Sequence, residues 1–194
     1  MSFIEITGQP CAGKSTILTK NKLDNVTRHI KNRFPRKILY FLLGINTLGL
    51  QRSKVLFHWS LAENAPFLFK LNIFLNCVSK FGIFYRFQKP AKDKGLRFLV
   101  DEGISHIPFL FLEVDPKIVI NFISDELKMI NVYFLCSPEK DVIQTRLLSR
   151  GHKRLKFMPL STFTGRVQKI EKVLLSEYPS LCKKFKVFDN VASF

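Results

Sequence analysis

The sequence predicts an α/β fold, a three-layer α/β/α domain in which helices cover a parallel sheet of about five strands. Short apolar runs of strand length recur along the 194 residues, and longer stretches with helical spacing separate them. A glycine-rich loop follows the first apolar run and opens a helical stretch. The composition, 46% hydrophobic, fits one domain with a substantial core.

The first strand is predicted at residues 2–7, and the loop after it reads GQPCAGKS. This is the G-x-x-x-x-G-K-S pattern of the phosphate-binding loop (P-loop, Walker A motif) of nucleoside triphosphatases, in its required context between a strand and a helix. Gly8 and Gly13 let the backbone approach a phosphate, which the N–H groups of the loop can then surround. Lys14 can pair with the β- and γ-phosphates of ATP, and the Ser15 hydroxyl can ligate Mg²⁺. The predicted nucleotide-binding residues of this segment are Gly8, Gln9, Pro10, Cys11, Ala12, Gly13, Lys14, Ser15 and Thr16.

Residues 35–88 differ in character from the rest of the chain. Apolar and aromatic residues recur there at three- and four-residue spacings, which predicts two or three amphipathic helices. We interpret them as a helical insertion that shapes the acceptor side of the site, between a short second strand at 25–30 and a turn at 89–95. No uncharged run reaches the roughly 18–20 residues that span a bilayer. Helices rich in Phe, Lys and Arg also suit a membrane interface, so peripheral membrane attachment or a lipid-linked substrate is the alternative.

The formal charge of +16 is unevenly distributed. Residues 14–97 hold 17 basic and 3 acidic side chains, whereas residues 98–194 hold 14 and 11. A positive field of this size favours an anionic partner, and we expect an anionic small-molecule acceptor. No nucleic-acid-binding motif accompanies the charge, which argues against bulk nucleic acid as the partner.

The next predicted strand, residues 96–100, ends in Asp101-Glu102-Gly103. A carboxylate at the carboxyl end of a parallel strand lies at the ligand-binding edge of the sheet. There it can hold Mg²⁺ or accept a proton from an attacking hydroxyl. Because side chains alternate along a strand, one of the two carboxylates should face the γ-phosphate. We favour Asp101, with Glu102 as the alternative metal ligand, while capping the following helix would be a purely structural role for Asp101.

A cluster of basic residues follows the third buried strand, which is predicted at 129–136. Arg146 and Arg150 lie four residues apart on one helix face, and Gly151-His152-Lys153-Arg154 then ends that helix with a basic tip. Several cations on a mobile loop suit a lid at about 146–156 that clamps phosphoryl oxygens. A solvated basic helix end that complements the helix dipole is the structural alternative.

Three further elements complete the predicted fold. A helix is expected at 115–128, with an Asp115 cap and Pro116 in its first turn. A helix at about 161–185 leads to a short last strand at 186–189. The four cysteines lie far apart and form no metal-ligand pattern, which is typical of a reducing cytoplasm, and Cys77 and Cys136 suit the core.

The order of these elements resembles the nucleoside and nucleoside monophosphate kinase branch of the P-loop proteins, such as the thymidylate kinases. The resemblance rests on the P-loop, on the segment 100–103 in the place of the family's Asp-Arg or Glu-Arg motif, and on the segment 146–154 in the place of its lid. It implies a parallel sheet in the order 2-3-1-4-5 and transfer of the ATP γ-phosphate to a nucleotide or nucleoside with Mg²⁺. The residues assigned to catalysis are Lys14, Asp101, Arg146 and Arg150, with Arg154 assigned to nucleotide binding.

Three features depart from that family. Glu102 stands where the family has an arginine that contacts the acceptor. The insertion at 35–88 is unusually apolar and aromatic, and no final helix follows the last strand. The Gly-Gln-Pro opening of the P-loop also resembles zeta-toxin-like kinases, which phosphorylate nucleotide sugars.

Three hypotheses about function therefore stand beside one another. The first is an ATP-dependent nucleotide or nucleoside kinase, and the second is a kinase of a sugar, a nucleotide sugar or a lipid-linked glycan intermediate. The third is a nucleotide-dependent switch or accessory ATPase, against which the lid arginines count. A P-loop so near the first residue leaves no room for a signal peptide, so we expect a cytoplasmic protein, free or attached to the inner face of a membrane. The sequence leaves the oligomeric state open, and a homodimer is compatible with it.

Overall fold

A computed structural model shows how the chain folds, and it describes residues 3–14, 27–30, 36–93, 97–135, 140–177, 179 and 182–185. Ser15, Thr16 and Cys136 lie outside the described residues, as does nearly all of the helix predicted at 14–22. One parallel sheet contains five described strands: β1 (Phe3–Gly8), β2 (Thr27–Ile30), β3 (Arg97–Asp101), β4 (Asn131–Leu135) and β5 (Cys182–Phe185). Their order is β2-β3-β1-β4-β5, which confirms the order that the family resemblance implied.

The central strand is β1, with β3 on one side and β4 on the other. Ile6 pairs with Asp101 of β3, and Gly8 pairs with Leu135 of β4. The carboxyl ends of these parallel strands therefore meet at one edge of the sheet, where the P-loop leaves β1. Phe3 belongs to the large core on one face of the sheet and Ile6 to a small core on the other, since successive side chains point to opposite faces. The predicted α/β class is confirmed.

Helices account for most of the remaining described residues. The α-helices are α1 (Arg36–Ala62), α2 (Phe67–Asp93), α3 (Pro116–Phe122), α4 (Ser124–Leu127), α5 (Lys140–Ser149) and α6 (Leu160–Glu177). Two 3₁₀ helices, Ile104–Leu110 and Lys153–Lys156, follow β3 and α5. The helical insertion predicted at 35–88 is thus a hairpin of two long helices, α1 and α2.

Two glycines let the helices of this hairpin touch backbone to backbone. A Cβ atom at Gly82 would lie 1.8 Å from the Tyr40 carbonyl oxygen, and one at Gly44 would lie 2.0 Å from the Val78 carbonyl oxygen. No side chain fits in either space, so both positions require glycine. A third glycine, Gly49, has φ 71° and ψ 172° and marks a kink inside α1.

One helix among the described residues is long and apolar enough, by length and composition, to cross a membrane. It is Phe67–Gln88 of α2, and 44% of its most apolar window is buried inside the protein. Phe81 and Phe84 of this segment are fully buried in the large core. A core helix of a soluble protein passes the same test, so its length and composition do not assign this segment to a membrane.

Three predicted boundaries differ from the structure. The turn expected at 89–95 is helical as far as Asp93, and α2 continues past Pro90 although proline removes one i→i−4 hydrogen bond there. The helix expected at 115–128 is two helices, broken at Ile123, although its Asp115 cap is confirmed by the 2.8 Å bond from the Lys117 N–H. The helix expected to reach 185 ends at Glu177, since residues 182–185 pair with β4 instead. The strand expected at 186–189 lies outside the described residues.

Candidate active site

The P-loop wraps round a space at the end of β1. Gly8, Cys11 and Gly13 have φ values of 139°, 64° and 109°. A Cβ atom at Gly8 would lie 2.5 Å from the Leu135 carbonyl oxygen, so the close approach to β4 also requires glycine there. These left-handed conformations give the loop the concave backbone that an anion-binding loop needs.

Lys14 lies across this loop and is only 5% exposed. Its Nζ donates hydrogen bonds to the carbonyl oxygens of Gly8, at 3.1 Å, and Gln9, at 2.8 Å. The same ammonium forms a 3.1 Å ion pair with Oε1 of Glu102. The P-loop cation is thus paired with a carboxylate from the end of β3, as predicted for this edge of the sheet.

Of the two neighbouring carboxylates, Glu102 is the one that contacts Lys14. The sequence favoured Asp101 as the one that faces the γ-phosphate, and that assignment stays a prediction. Glu102 has a left-handed backbone, φ 56°, and its N–H donates to the Ile6 carbonyl at 3.1 Å. This turn breaks the strand alternation from which we expected only one of the two carboxylates to face the γ-phosphate. Asp101 Oδ1 is buried and has no hydrogen-bond partner among the described residues.

The two carboxyl groups also differ electrostatically. Burial raises the pKa of Asp101, and the charge of Glu102 raises it further, while Lys14 and Lys80 lower it in part. Burial opposes ionisation of Glu102 as well, but His106, Lys14 and Lys80 hold its pKa well below the usual range. Glu102 is therefore ionised at neutral pH, whereas Asp101 titrates closer to neutrality.

His106 lies against Glu102, with 3.6 Å between its Nε2 and Oε2 of the carboxylate. Burial lowers the pKa of His106 to about 3, which the Glu102 charge offsets only in part. The imidazole is therefore neutral at pH 7, stacks on Phe109, and leaves a buried Nδ1 without a partner among the described residues. His106 therefore forms part of the wall of the site.

A cavity of about 510 Å³ opens beside these groups. Its volume lies within the usual range for small-molecule sites. Aromatic, amide and charged side chains converge on it from the P-loop, α2, the first 3₁₀ helix and the predicted lid. The lining residues are Pro10, Cys11, Phe69, Asn72, Ile73, Asn76, Glu102, His106, Phe109, Leu110, Arg150, Gly151, His152, Lys153, Arg154 and Phe163.

The three predicted lid arginines occupy different places. Arg146 donates from Nη1 to the Cys11 carbonyl oxygen at 3.3 Å, which joins α5 to the P-loop. Arg150 is exposed and lines the cavity. Arg154 is 7% exposed and donates to Glu63 Oε2 at 2.7 Å and to the Leu110 carbonyl. Its guanidinium ties the lid segment to the connection between α1 and α2.

Sequence reasoning missed two polar residues that support this site, Glu5 and Lys80. Glu5 is fully buried in β1, and Lys80 of α2 donates to the Glu102 carbonyl oxygen. The signal for Glu5 was present, since an acidic residue inside an otherwise apolar buried strand is rare. No comparable signal marked Lys80, which stands among many basic residues of the insertion.

No protein-family model matches the chain, and no curated protein matches it in sequence. Solved structures do share its fold. Thymidylate kinase from Ehrlichia chaffeensis is similar with a TM-score of 0.51 and 15% sequence identity, over 98% of this chain and 91% of that one. Deoxyadenosine kinase from M. mycoides with bound dATP is similar with a TM-score of 0.51 and 18% identity, over 98% and 93% of the two chains. The chain therefore has the P-loop fold of the nucleoside and nucleoside monophosphate kinases.

Proposed function

We propose that this protein is a P-loop phosphotransferase that moves the γ-phosphate of ATP to a small-molecule acceptor. The observation that carries the proposal is the position of Lys14, which lies within the P-loop and pairs with Glu102 beside the 510 Å³ cavity. A phosphate held by the loop and an acceptor held in the cavity would meet at these two side chains. Phosphoryl transfer depends mainly on such positioning and on electrostatic stabilisation.

The donor groups at the end of β3 suit Mg²⁺. This hard cation takes carboxylate and hydroxyl oxygens, and the site offers the Asp101 Oδ1 atom, which has no hydrogen-bond partner among the described residues, and the Glu102 carboxylate. Ser15, which lies outside the described residues, is the hydroxyl ligand that the sequence predicts. When bound, Mg²⁺ would neutralise negative charge on the phosphates. Asp101, Glu102 and Ser15 would hold it.

Glu102 is also the carboxylate best placed to orient an acceptor hydroxyl, because its side chain is 40% exposed and lines the cavity. Geometry comes before pKa in choosing such a group. Lys14 and the exposed Arg150 would stabilise the phosphoryl oxygens during transfer, and Arg146 would hold the P-loop against α5.

A nucleoside or nucleotide is the acceptor that we propose first. It is the substrate class named for the two structural neighbours, a deoxyadenosine kinase and a thymidylate kinase. In this chain, the rings of Phe69 and Phe109 and the amides of Asn72 and Asn76 line the cavity and suit a heterocyclic base.

A sugar, a nucleotide sugar or a lipid-linked glycan is the second candidate acceptor. Glu102 favours it, because a carboxylate at this position repels an acceptor phosphate and accepts a hydrogen bond from a hydroxyl. The lipid-linked form is also compatible with Leu42, Leu50 and Leu68 of the hairpin, which are exposed. A nucleotide-dependent switch would need no acceptor cavity.

The test is Mg²⁺-dependent ATP turnover by the purified protein, with nucleosides, nucleoside monophosphates, sugars, nucleotide sugars and glycan lipids as acceptors. Lys14→Ala should reduce turnover by about 100-fold or more, since it removes a cation at the transferring phosphoryl group. Lys128→Ala is the matched control, because Lys128 is exposed and pairs with Asp125 away from the cavity. Stimulation by one acceptor class would identify the substrate. Turnover that no acceptor changes would favour the switch, and absence of both ATP binding and turnover would refute the proposal.

A further inference from the structure

Glu5 is a carboxylate in the middle of the central strand, where solvent does not reach it. In register, its neighbours are Val100 of β3 and Val132 of β4. A carboxylate in such a place is costly unless hydrogen bonds satisfy its oxygens. Glu5 Oε1 accepts from the Ile104 N–H at 2.9 Å, and Oε2 accepts from the Ser105 N–H at 2.8 Å.

These two bonds hold the turn that follows Glu102. The space between the carboxylate and the turn is closed, because a Cβ atom at Gly103 would lie 2.1 Å from Glu5 Oε1. Only glycine therefore fits at position 103 next to the Glu5 carboxylate. The backbone from 103 to 105 lies directly on the carboxylate and cannot shift toward it.

Lys80 holds the same turn through a further contact. This half-buried lysine of α2 donates from Nζ to the carbonyl oxygen of Glu102. The Glu102 N–H is fixed as well, by its bond to the Ile6 carbonyl oxygen. The backbone of Glu102 is thus bonded at both its N–H and its carbonyl group, and the N–H groups of Ile104 and Ser105 are bonded to Glu5.

The held conformation is one that a glutamate does not adopt readily. Glu102 has φ 56°, in the left-handed region that side chains disfavour and that surrounding contacts must enforce. With a negative φ at Glu102, the side chain would point in another direction and would lose its contact with Lys14. The 3.1 Å contact between Glu102 and Lys14 therefore depends on the enforced backbone.

We propose that Glu5 and Lys80 are positioning residues that hold the turn after β3, so that the Glu102 carboxylate faces Lys14 and the acceptor cavity. The inference rests on the proposed phosphotransferase function, because it assigns these residues a part in that reaction. Neither residue touches the cavity. They act through Glu102, and β1 and α2 both contribute to the placement of one carboxylate.

The test compares Glu5→Gln with Glu126→Gln as a matched control. Glu126 is also a buried carboxylate, 1% exposed, but it is bonded to Arg52 and Tyr85 away from the cavity. We expect Glu5→Gln to lower kcat at least tenfold while the KM for ATP stays within twofold. Glu126→Gln should leave kcat within twofold even where it lowers the melting temperature. A folded Glu5→Gln variant with kcat within twofold of the wild type would overturn the proposal, as would an equal loss of kcat in the control.

Lys80→Met supplies a second variant, which keeps the test decisive if Glu5→Gln does not fold. It removes the bond to the Glu102 carbonyl and leaves Glu5 in place, and we expect the same loss of kcat with unchanged KM for ATP. Crystal structures of the variants give a readout that needs no turnover. The distance from Lys14 Nζ to Glu102 Oε1 should exceed 4 Å in either variant, and a distance that stays near 3.1 Å would overturn the positioning role. If the wild type shows no turnover with any acceptor, the proposed function fails, and these structures still decide whether Glu5 and Lys80 place Glu102.

Discussion

Replacement of Arg154 by methionine tests whether this residue serves the fold or the nucleotide. The lid pattern predicts a nucleotide contact, whereas the structure buries the guanidinium against Glu63, with 2.7 Å between Nη1 and Oε2. Glu63 is 1% exposed, so the variant leaves a buried carboxylate without its charged partner. Methionine keeps much of the volume of the arginine stem, which limits the effect to the lost charge and hydrogen bonds.

We expect Arg154→Met to lower the free energy of unfolding substantially. Removal of one partner of a buried ion pair destabilises a protein by about 3–5 kcal/mol. The Arg154 guanidinium also lies 5.5 Å from the centre of the Phe69 ring, a contact of the cation–π type. The Glu113 N–H still donates to Glu63 Oε1 at 3.0 Å in the variant, which offsets part of the loss. We therefore expect about 3 kcal/mol or more, and a melting temperature lower by roughly 6–12 °C for a domain of this size.

Urea unfolding, followed by the fluorescence of the single tryptophan, Trp59, measures this change. Trp59 packs on Phe111 and Phe122 in the core, so its emission should report global unfolding. Arg150→Met is the control, because Arg150 is exposed, and it should change stability by less than about 0.5 kcal/mol. The double variant with Glu63→Gln removes both charges and should recover part of the loss. A loss below about 1 kcal/mol in Arg154→Met, combined with weaker ATP binding, would refute the structural role and support the nucleotide contact.

Two further predictions concern acid stability and helix packing. The pKa of His106 is about 3 in the folded state against 6.5 for the free side chain, so the unfolded chain binds this proton first. The contribution of neutral His106 to the free energy of unfolding is therefore complete above pH 6.5, and it is lost as the pH falls toward 3. Between pH 6.5 and 5, the free energy of unfolding of the wild type should fall by about 2 kcal/mol more than that of His106→Phe, as measured in urea titrations. Equal losses in the two proteins would contradict a neutral buried imidazole. Gly82→Ala should cost at least about 2 kcal/mol, because its Cβ would lie 1.8 Å from the Tyr40 carbonyl. Gly165→Ala in α6, where nothing lies within 4 Å, should instead stabilise the helix by up to about 1 kcal/mol, and similar effects at the two positions would show that α1 and α2 do not touch as described.

Local signals predicted most of the architecture. The P-loop was evident because its function requires glycine, lysine and a hydroxyl at fixed spacing, and because an apolar run of strand length precedes it. The helical spacing of residues 35–88 predicted α1 and α2, and the buried strands predicted β3 and β4 closely. These features depend on residues near one another in the chain, which a sequence displays directly.

The end of the chain was harder to predict, because its structure is decided by a distant partner. Residues 182–185 read Cys-Lys-Lys-Phe, which carries no strand pattern of its own. They form β5 because the edge of β4 offers unpaired backbone groups, and Val132 to Leu135 pair with them in register. Strand pairing depends on hydrogen bonds between segments that are distant in the sequence, and this tertiary context overrides the local propensity of residues 182–185.

The candidate site divides in the same way. The sequence by itself predicted that a carboxylate from the end of β3 would lie beside the P-loop, since the carboxyl ends of parallel strands share one edge of the sheet. Only the tertiary structure decided that Glu102 is the carboxylate that contacts Lys14, because the left-handed backbone after β3 is held by Glu5, almost a hundred residues earlier, and by Lys80 of the hairpin. It also decided that Arg154 is buried against Glu63, 91 residues away in the chain. Such placements follow from desolvation and hydrogen bonding between distant segments, and these interactions exist only when the chain has folded.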